Sequence, residues 1–488
     1  MKKWSFFILV LFAAVFSHAQ TRLEKIDELV SFCQENHRLN GNILIAEKGA
    51  IIYSKSIGMA DFQKGQSLDA NTSFCLGSIS KQFTAFAIML LKDQGKLEYS
   101  TRVGQIFPEL PEYMHPITME NLMQHTSGLR RTHYGEPDGL TNEDIFQNFL
   151  KTEGDTLLFP PGTDLRYSNS GYMLLAMIVE RVSGQTYESF LNEHVWQPLG
   201  MTNTFVMSDE YYERPNRAIG FDGFGHTSDF NVLTYGSNGV YASAEDLFRW
   251  SQSLSTDLVM DFEKKSEAWK PATSLSGEFL HDQIREDSWH YGFGLAIYKD
   301  RLAGVIGHSG AFGGFYNLIM KDLKHDREVI ILTNNGRILP LIETGRAIQY
   351  ILREEPYVKP KISIDLALRK AYYDDIDNGI LYYHQLKEEH PTAYKFNNEW
   401  ELNRLGYALI ADKRYEDAVK ILQLLVSEFP DRPNPYDSLG EAYYLNGQFQ
   451  LSIESYEAAL RIDENFNLEW INEMIDRNKE KLATENRH

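Results

Sequence analysis

Downstream of Pro360 the chain repeats itself. Gly406 and Gly440 stand 440 − 406 = 34 residues apart, and the same offset relates Tyr415 to Phe449, Ala418 to Ser452 and Leu422 to Tyr456. A fixed period of that length is a two-helix unit that cannot bury its apolar face alone and has to stack on its neighbours. Small residues sit where paired helices cross, and bulky ones fill between them. The last quarter of the chain is therefore confined to an all-helical stack. Two repeats rarely stand alone, so stability must come from a divergent helix pair at about 364–391 or from docking on the preceding domain.

Upstream the patterning is mixed. Leu23, Ile26, Leu29, Val30 and Cys33 follow helical spacing, and the β-rich runs 41–46 and 51–56 are joined at Glu47-Lys48-Gly49, a hairpin signal. From Ser78 to Asp93 the apolar positions Phe83, Phe86, Ala87, Leu90 and Leu91 keep a helical period, and Gly95 follows where a helix should stop. Residues 103–258 read as mixed helix and loop, a mostly helical lobe inserted into the sheet domain. The sheet is expected to resume at Tyr291-Gly292-Phe293-Gly294 and to run through 304–309, 315–320 and 328–333 as three antiparallel strands, followed by an amphipathic helix over 337–353. Glu355-Pro356 and Pro360 mark a linker. The expected organisation is a leader at 1–19, an α+β domain at 20–355, a linker at 356–363 and a helical repeat domain at 364–488.

The leader reads as a secretory signal. Lys2-Lys3, an apolar run from Trp4 to Phe16 and Ser17-His18-Ala19 fit cleavage after Ala19. The mature protein is then periplasmic or secreted, with no stable membrane insertion. Lys and Arg number 48 against 68 Asp and Glu, so 48 − 68 = −20, a balance that repels phosphate backbones and excludes nucleic acid as a partner. Cys33 and Cys75 are the two cysteines, and both are expected as buried thiols.

Ser78-Ile79-Ser80-Lys81 opens the apolar helix, and its i, i+3 spacing puts a hydroxyl and an amine on one face. The first turn of a helix also offers free amide donors and a positive dipole end, which favour a developing alkoxide. Alone the tetrapeptide is a weak signal, because Ser78 could be a helix cap. Two further elements follow in order. Tyr167-Ser168-Asn169 comes after the Pro160-Pro161-Gly162 turn, and His308-Ser309-Gly310 lies at the end of a strand, before Gly313 and Gly314. Tyr444-Leu445-Asn446 and His133-Tyr134-Gly135 match the same short patterns, but the first sits in the repeats and the second in a loop without a strand.

This ordered triple resembles the active-site set of class C β-lactamases, low-molecular-weight penicillin-binding proteins and their esterase and D-aminopeptidase relatives, over about 26–353. Residues 74–84, His125-Thr126-Ser127-Gly128-Leu129 and 239–247 resemble the family as well. The 34-residue period resembles tetratricopeptide repeats. The first resemblance implies a β-lactamase/DD-peptidase-like antiparallel sheet flanked by helices. It also implies Ser78 as the acylated nucleophile, with Lys81 and Tyr167 sharing the proton. Asn169 and His308 would contact substrate, and Gly310 and Ala311 would line the site, the oxyanion hole being the amides of Ser78 and Ala311. Which of Lys81 and Tyr167 is the base stays open. His125 is read as a loop-structuring side chain.

At His308 the β-lactamases of this group usually carry lysine. An unperturbed histidine is mostly neutral at pH 7, so capture of a β-lactam carboxylate should be weaker. The expected activity is hydrolysis of D-amino-acid peptides, esters or related acyl substrates, with low or no β-lactamase activity. No metal or organic cofactor is implied, and the partner is a small-molecule or peptide substrate. The alternative is an envelope binding protein whose repeats recruit a protein partner while the hydrolase fold turns over weakly.

Overall fold

The computed structural model describes residues 20–130, 140–151, 156–208, 214, 216–222, 226–228, 233–274, 276–280, 289–336 and 339–485. The leader at 1–19 and the tripeptide His133-Tyr134-Gly135 lie outside them. The chain divides into two compact units, one ending at Lys359 and the other beginning at Pro360 and taking in Glu35–His37.

The first unit is built on one antiparallel sheet. Helix α1 (Arg22–His37) precedes β1 (Gly41–Glu47) and β2 (Ala50–Ile57). Lys48 and Gly49 both have positive φ, 53° and 75°, the backbone that a two-residue hairpin turn of matching twist requires. Five strands close the unit: β3 (Trp289–Tyr291), β4 (Ala296–Tyr298), β5 (Val305–Phe312), β6 (Phe315–Asp322) and β7 (Arg327–Thr333). The order across the sheet is β2-β1-β7-β6-β5-β4-β3. Its first and last parts meet where Gly41 pairs with Thr333 and Glu47 with Arg327.

Successive side chains on a strand face opposite ways, and this sheet buries both faces. Ile43, Ile45, Leu318, Met320, Val329 and Ile331 pack with α1 and the helix Leu341–Leu352. Leu44, Ala46, Ile319, Ile330 and Leu332 pack on the other side with Phe83, Ala87 and Leu91 of α2 (Ser80–Asp93) and with α3 (Asn169–Ser183). Cys33 belongs to the first cluster and Cys75 to the second, and neither forms a disulfide. Burial pushes the Cys33 thiol up to about 11.

Two expectations need correction. Among the described residues the end of the sheet holds five strands rather than three, because Trp289–Tyr291 and Ala296–Tyr298 pair on either side of a turn at Gly292-Phe293-Gly294. Gly294 takes φ +67°, and the Gly292 amide donates to Leu295 O at 2.8 Å. The inserted lobe is helical but also supplies Val240–Ala242 and Phe205–Val206 to a small sheet, in which Val240–Ala242 is central and pairs on its other side with Phe74–Cys75.

The second unit is all helical: Ile364–Asp374, Ile376–Glu389, Glu399–Ala411, Tyr415–Glu428, Pro433–Leu445, Phe449–Ile462 and Leu468–Glu485. The periodic residues explain its packing. A Cβ on Gly406 would lie 2.6 Å from Leu422, and one on Gly440 would lie 3.0 Å from the Tyr456 ring, so each glycine admits the bulky residue of its helix partner. Ile471 and Met474 of the last helix bury themselves against Tyr456 and Ala459 and close the stack. No helix among the described residues is long and apolar enough to cross a membrane.

Lys321 and Glu328 face each other directly across β6 and β7, bonded and with side chains only 1% and 0% exposed. Burial pushes the Glu328 carboxyl upward against the pull of the Lys321 ammonium, and Gln252 donates a further hydrogen bond to it. Lys321→Met leaves a buried charge uncompensated and is expected to cost about 3–5 kcal/mol. The double variant with Glu328→Leu should recover most of that loss, as read from urea midpoints.

Candidate active site

Ser78 is presented by a single 3₁₀ turn, Gly77–Ile79, that leads into α2. It therefore precedes the α-helix rather than occupying its first turn. Three residues per turn bring side chains i and i+3 into register, and Lys81 Nζ donates to Ser78 Oγ at 3.2 Å. The turn is possible because Gly77 holds φ +53°, a backbone that a side chain would resist.

The turn is clamped from several sides. Leu76 N donates to Val240 O at 2.9 Å, and Asn317 on β6 donates to Cys75 O at 2.6 Å. Ser80 Oγ accepts from Val240 N at 3.2 Å, and Trp250 Nε1 donates to Gln82 Oε1 at 2.8 Å. β5 lies directly on the turn: a Cβ on Gly310 would stand 1.9 Å from Leu76 O, and one on Gly77 would stand 2.8 Å from the amide nitrogen of Ala311. The peptide that carries the Ser78 amide thus runs beside the Ala311 amide.

Lys81 is fully buried, and an ammonium in that position needs oxygens around it. Besides Ser78 it donates to Asn169 Oδ1 at 2.9 Å and to Ser237 O at 2.8 Å. An ammonium only donates, so the amide oxygen of Asn169 faces Lys81 and its NH₂ is the edge left for a substrate acceptor. Nζ also lies 4.8 Å from the Tyr167 ring centre and 5.6 Å from that of Tyr172.

Tyr167 and His308 are 4% exposed each, and their ring centres are 6.3 Å apart. His308 Nδ1 lies 2.5 Å from Ser309 O and Nε2 lies 3.0 Å from Tyr291 Oη. A carbonyl only accepts, so Nδ1 carries a hydrogen. Tyr172 is buried and donates to Met123 O at 2.5 Å. Burial, then the neighbouring Tyr167, hold its hydroxyl well above the usual phenol range, so Tyr172 stays neutral.

Ser78, Lys81, Tyr167, Asn169, His308, Gly310 and Ala311 are thus linked by a continuous run of contacts. Two neighbours carried no readable signal. Ser237 carries only a backbone carbonyl to the site, which receives Lys81, and Tyr291 read only as the start of a strand, yet it meets His308. Among the described residues no group of three or more His, Cys, Asp or Glu side chains could hold a metal ion.

Residues 18–342 match the protein family described as Beta-lactamase, and residues 404–432 and 434–466 match families described as Tetratricopeptide repeat. The chain is 29% identical over 387 residues to Penicillin-binding protein 4* of Bacillus subtilis, across 72% of this chain and 82% of the relative. It is 28% identical to the putative penicillin-binding protein PbpX of the same organism, across 61% and 70% of the two chains. Among solved structures, an octameric penicillin-binding protein homologue from Pyrococcus abyssi superposes with a TM-score of 0.61 at 24% identity, covering 71% of this chain and 81% of that one. The D-alanine carboxypeptidase AmpC of Burkholderia cenocepacia superposes with a TM-score of 0.57 at 18% identity, covering 68% and 99%.

Gly310→Ala puts a methyl group into the Leu76 carbonyl and must lift the strand from the turn. It is expected to slow reaction of Ser78 with an active-site phosphonate by about 100-fold, since a misplacement of about 1 Å costs that much. Labelling rates followed by mass spectrometry read the effect.

Proposed function

The chain belongs to the Beta-lactamase family of serine hydrolases, and from that premise we propose that it is an exported enzyme that hydrolyses D-amino-acid peptides, esters or related acyl substrates through an acyl-enzyme on Ser78. The observation that carries the reading is the buried Lys81 amine, 3.2 Å from the Ser78 hydroxyl. Ser78 Oγ attacks the substrate carbonyl carbon, and its proton passes to whichever of Lys81 Nζ and Tyr167 Oη is unprotonated. The tetrahedral oxyanion is stabilised by the amides of Ser78 and Ala311. Collapse expels the leaving group, which takes up a proton, and water then hydrolyses the Ser78 ester by the reverse proton route. Asn169, through its NH₂, orients the substrate.

His308 supports low or no β-lactamase activity. Its Nδ1 and Nε2 face Ser309 O and Tyr291 Oη, which leaves the imidazole poorly placed to meet a carboxylate in the way a lysine ammonium would. Export rests on the basic and apolar leader, which ends in Ser17-His18-Ala19. The tetratricopeptide module is proposed to hold a protein partner, as stacked helix pairs offer an extended surface for one.

A penicillin-type or phosphonate probe is expected to label the mature protein at Ser78 and to leave Ser78→Ala unlabelled; adduct formation at another residue sinks the mechanism. In a turnover panel, D-alanyl peptides or short-chain p-nitrophenyl esters should exceed a chromogenic cephalosporin in kcat/KM. His308→Lys should raise cephalosporin kcat/KM by about tenfold relative to the ester, the scale of one added charge-assisted contact.

A further inference from the structure

The loop before the site contains a conformation that its residue type does not favour. The short helix Met119–Met123 ends with Thr126 N donating to Asn121 O at 2.8 Å and His125 N to Leu122 O at 3.3 Å. That pair of bonds is a Schellman ending, whose last residue must be left-handed and is ordinarily glycine or asparagine. Here it is His125, with φ 62° and an imidazole 1% exposed. A residue with a β-carbon in that backbone region is strained, and such strain persists where the surroundings over-determine it.

What His125 holds lies 41 residues further on. Its carbonyl accepts from Arg166 N at 2.9 Å and its Nδ1 accepts from Ser168 N at 3.1 Å. The two amides on either side of Tyr167 are therefore tied to one residue, and the Tyr167 ring lies on the imidazole at 4.2 Å between centres. Lys81 Nζ is 4.8 Å from the same phenol ring. Ser168 caps α3 by accepting from Gly171 N at 3.3 Å, so His125 also fixes the point from which Asn169 starts. A backbone N–H can only donate, so the Nδ1 lone pair must face Ser168.

We propose that His125 is the positioning residue for Tyr167 and Asn169, acting through the Nδ1 acceptor and a left-handed backbone. This rests on the reading of Ser78, Lys81 and Tyr167 as the reacting groups. His125 does not touch the reacting atoms; it sets where the phenol stands above the lysine.

Asparagine and glycine at this position separate the acceptor from the backbone. Both tolerate a positive φ, but only asparagine carries an oxygen where Nδ1 stands. His125→Gly is expected to lower kcat by about 10- to 100-fold with KM within about threefold, whereas His125→Asn should stay within about fivefold of the parent kcat. His125→Gln keeps bulk but carries its oxygen one bond too far, and should fall with the glycine variant. The Ser168 amide, followed by hydrogen exchange, should remain protected in His125→Asn and exchange at least about tenfold faster in the other two. That measurement needs no turnover. If His125→Asn loses as much as His125→Gly, or if Ser168 protection is equal in all three, the positioning role is wrong. If Tyr167→Phe, run in parallel, keeps full turnover, the reading of the reacting groups fails instead.

Discussion

A lysine nitrogen sealed in the interior is the constraint around which this unit is arranged. Lys81 has no exposed surface, and a lone cation there would cost several kcal/mol. It is met by oxygens from three separate parts of the chain: the Ser78 hydroxyl on its own turn, the Asn169 amide at the head of α3 and the Ser237 carbonyl in the loop before Val240. Each of those oxygens has to be delivered by an element fixed elsewhere. The requirement to satisfy one buried group thus ties the apolar helix, the inserted lobe and the small sheet together, and leaves a hydroxyl at their junction.

The strand end completes the junction by backbone approach rather than by side chains. Gly77 and Gly310 let the 3₁₀ turn and β5 come closer than any β-carbon would allow. His308 reaches the same junction from that strand, with its ring nitrogens directed at protein oxygens. The glycines and not the imidazole set the spacing, so the residue at 308 can change the charge of the site without parting the turn from the strand.

Much of this arrangement was legible in the residues. The spacing Ser78 to Lys81 predicted a shared face, the Lys48-Gly49 turn predicted a hairpin, and the 34-residue offset paired Gly406 with Gly440 in positions that prove to be helix crossings. Side-chain periodicity carries such information because it is local. What escaped was decided by distant backbone. The Ser237 carbonyl has no residue-specific signature, the turn at Gly292-Phe293-Gly294 reads like strand until its left-handed glycine is seen, and nothing near His125 in sequence announces that it binds residues 166 and 168.

The pairing of β1 with β7 has a consequence for how the protein comes into being. Gly41 waits for Thr333 and Glu47 for Arg327, so the middle of the sheet cannot exist until nearly the whole unit has been synthesised. Closing so large a loop is entropically slow, and the apolar strands meanwhile are open to wrong partners. The helical stack behind it depends on neighbours only tens of residues away and can settle at once. One polypeptide therefore joins a part whose folding depends on pairing across most of its length to a part whose folding is local.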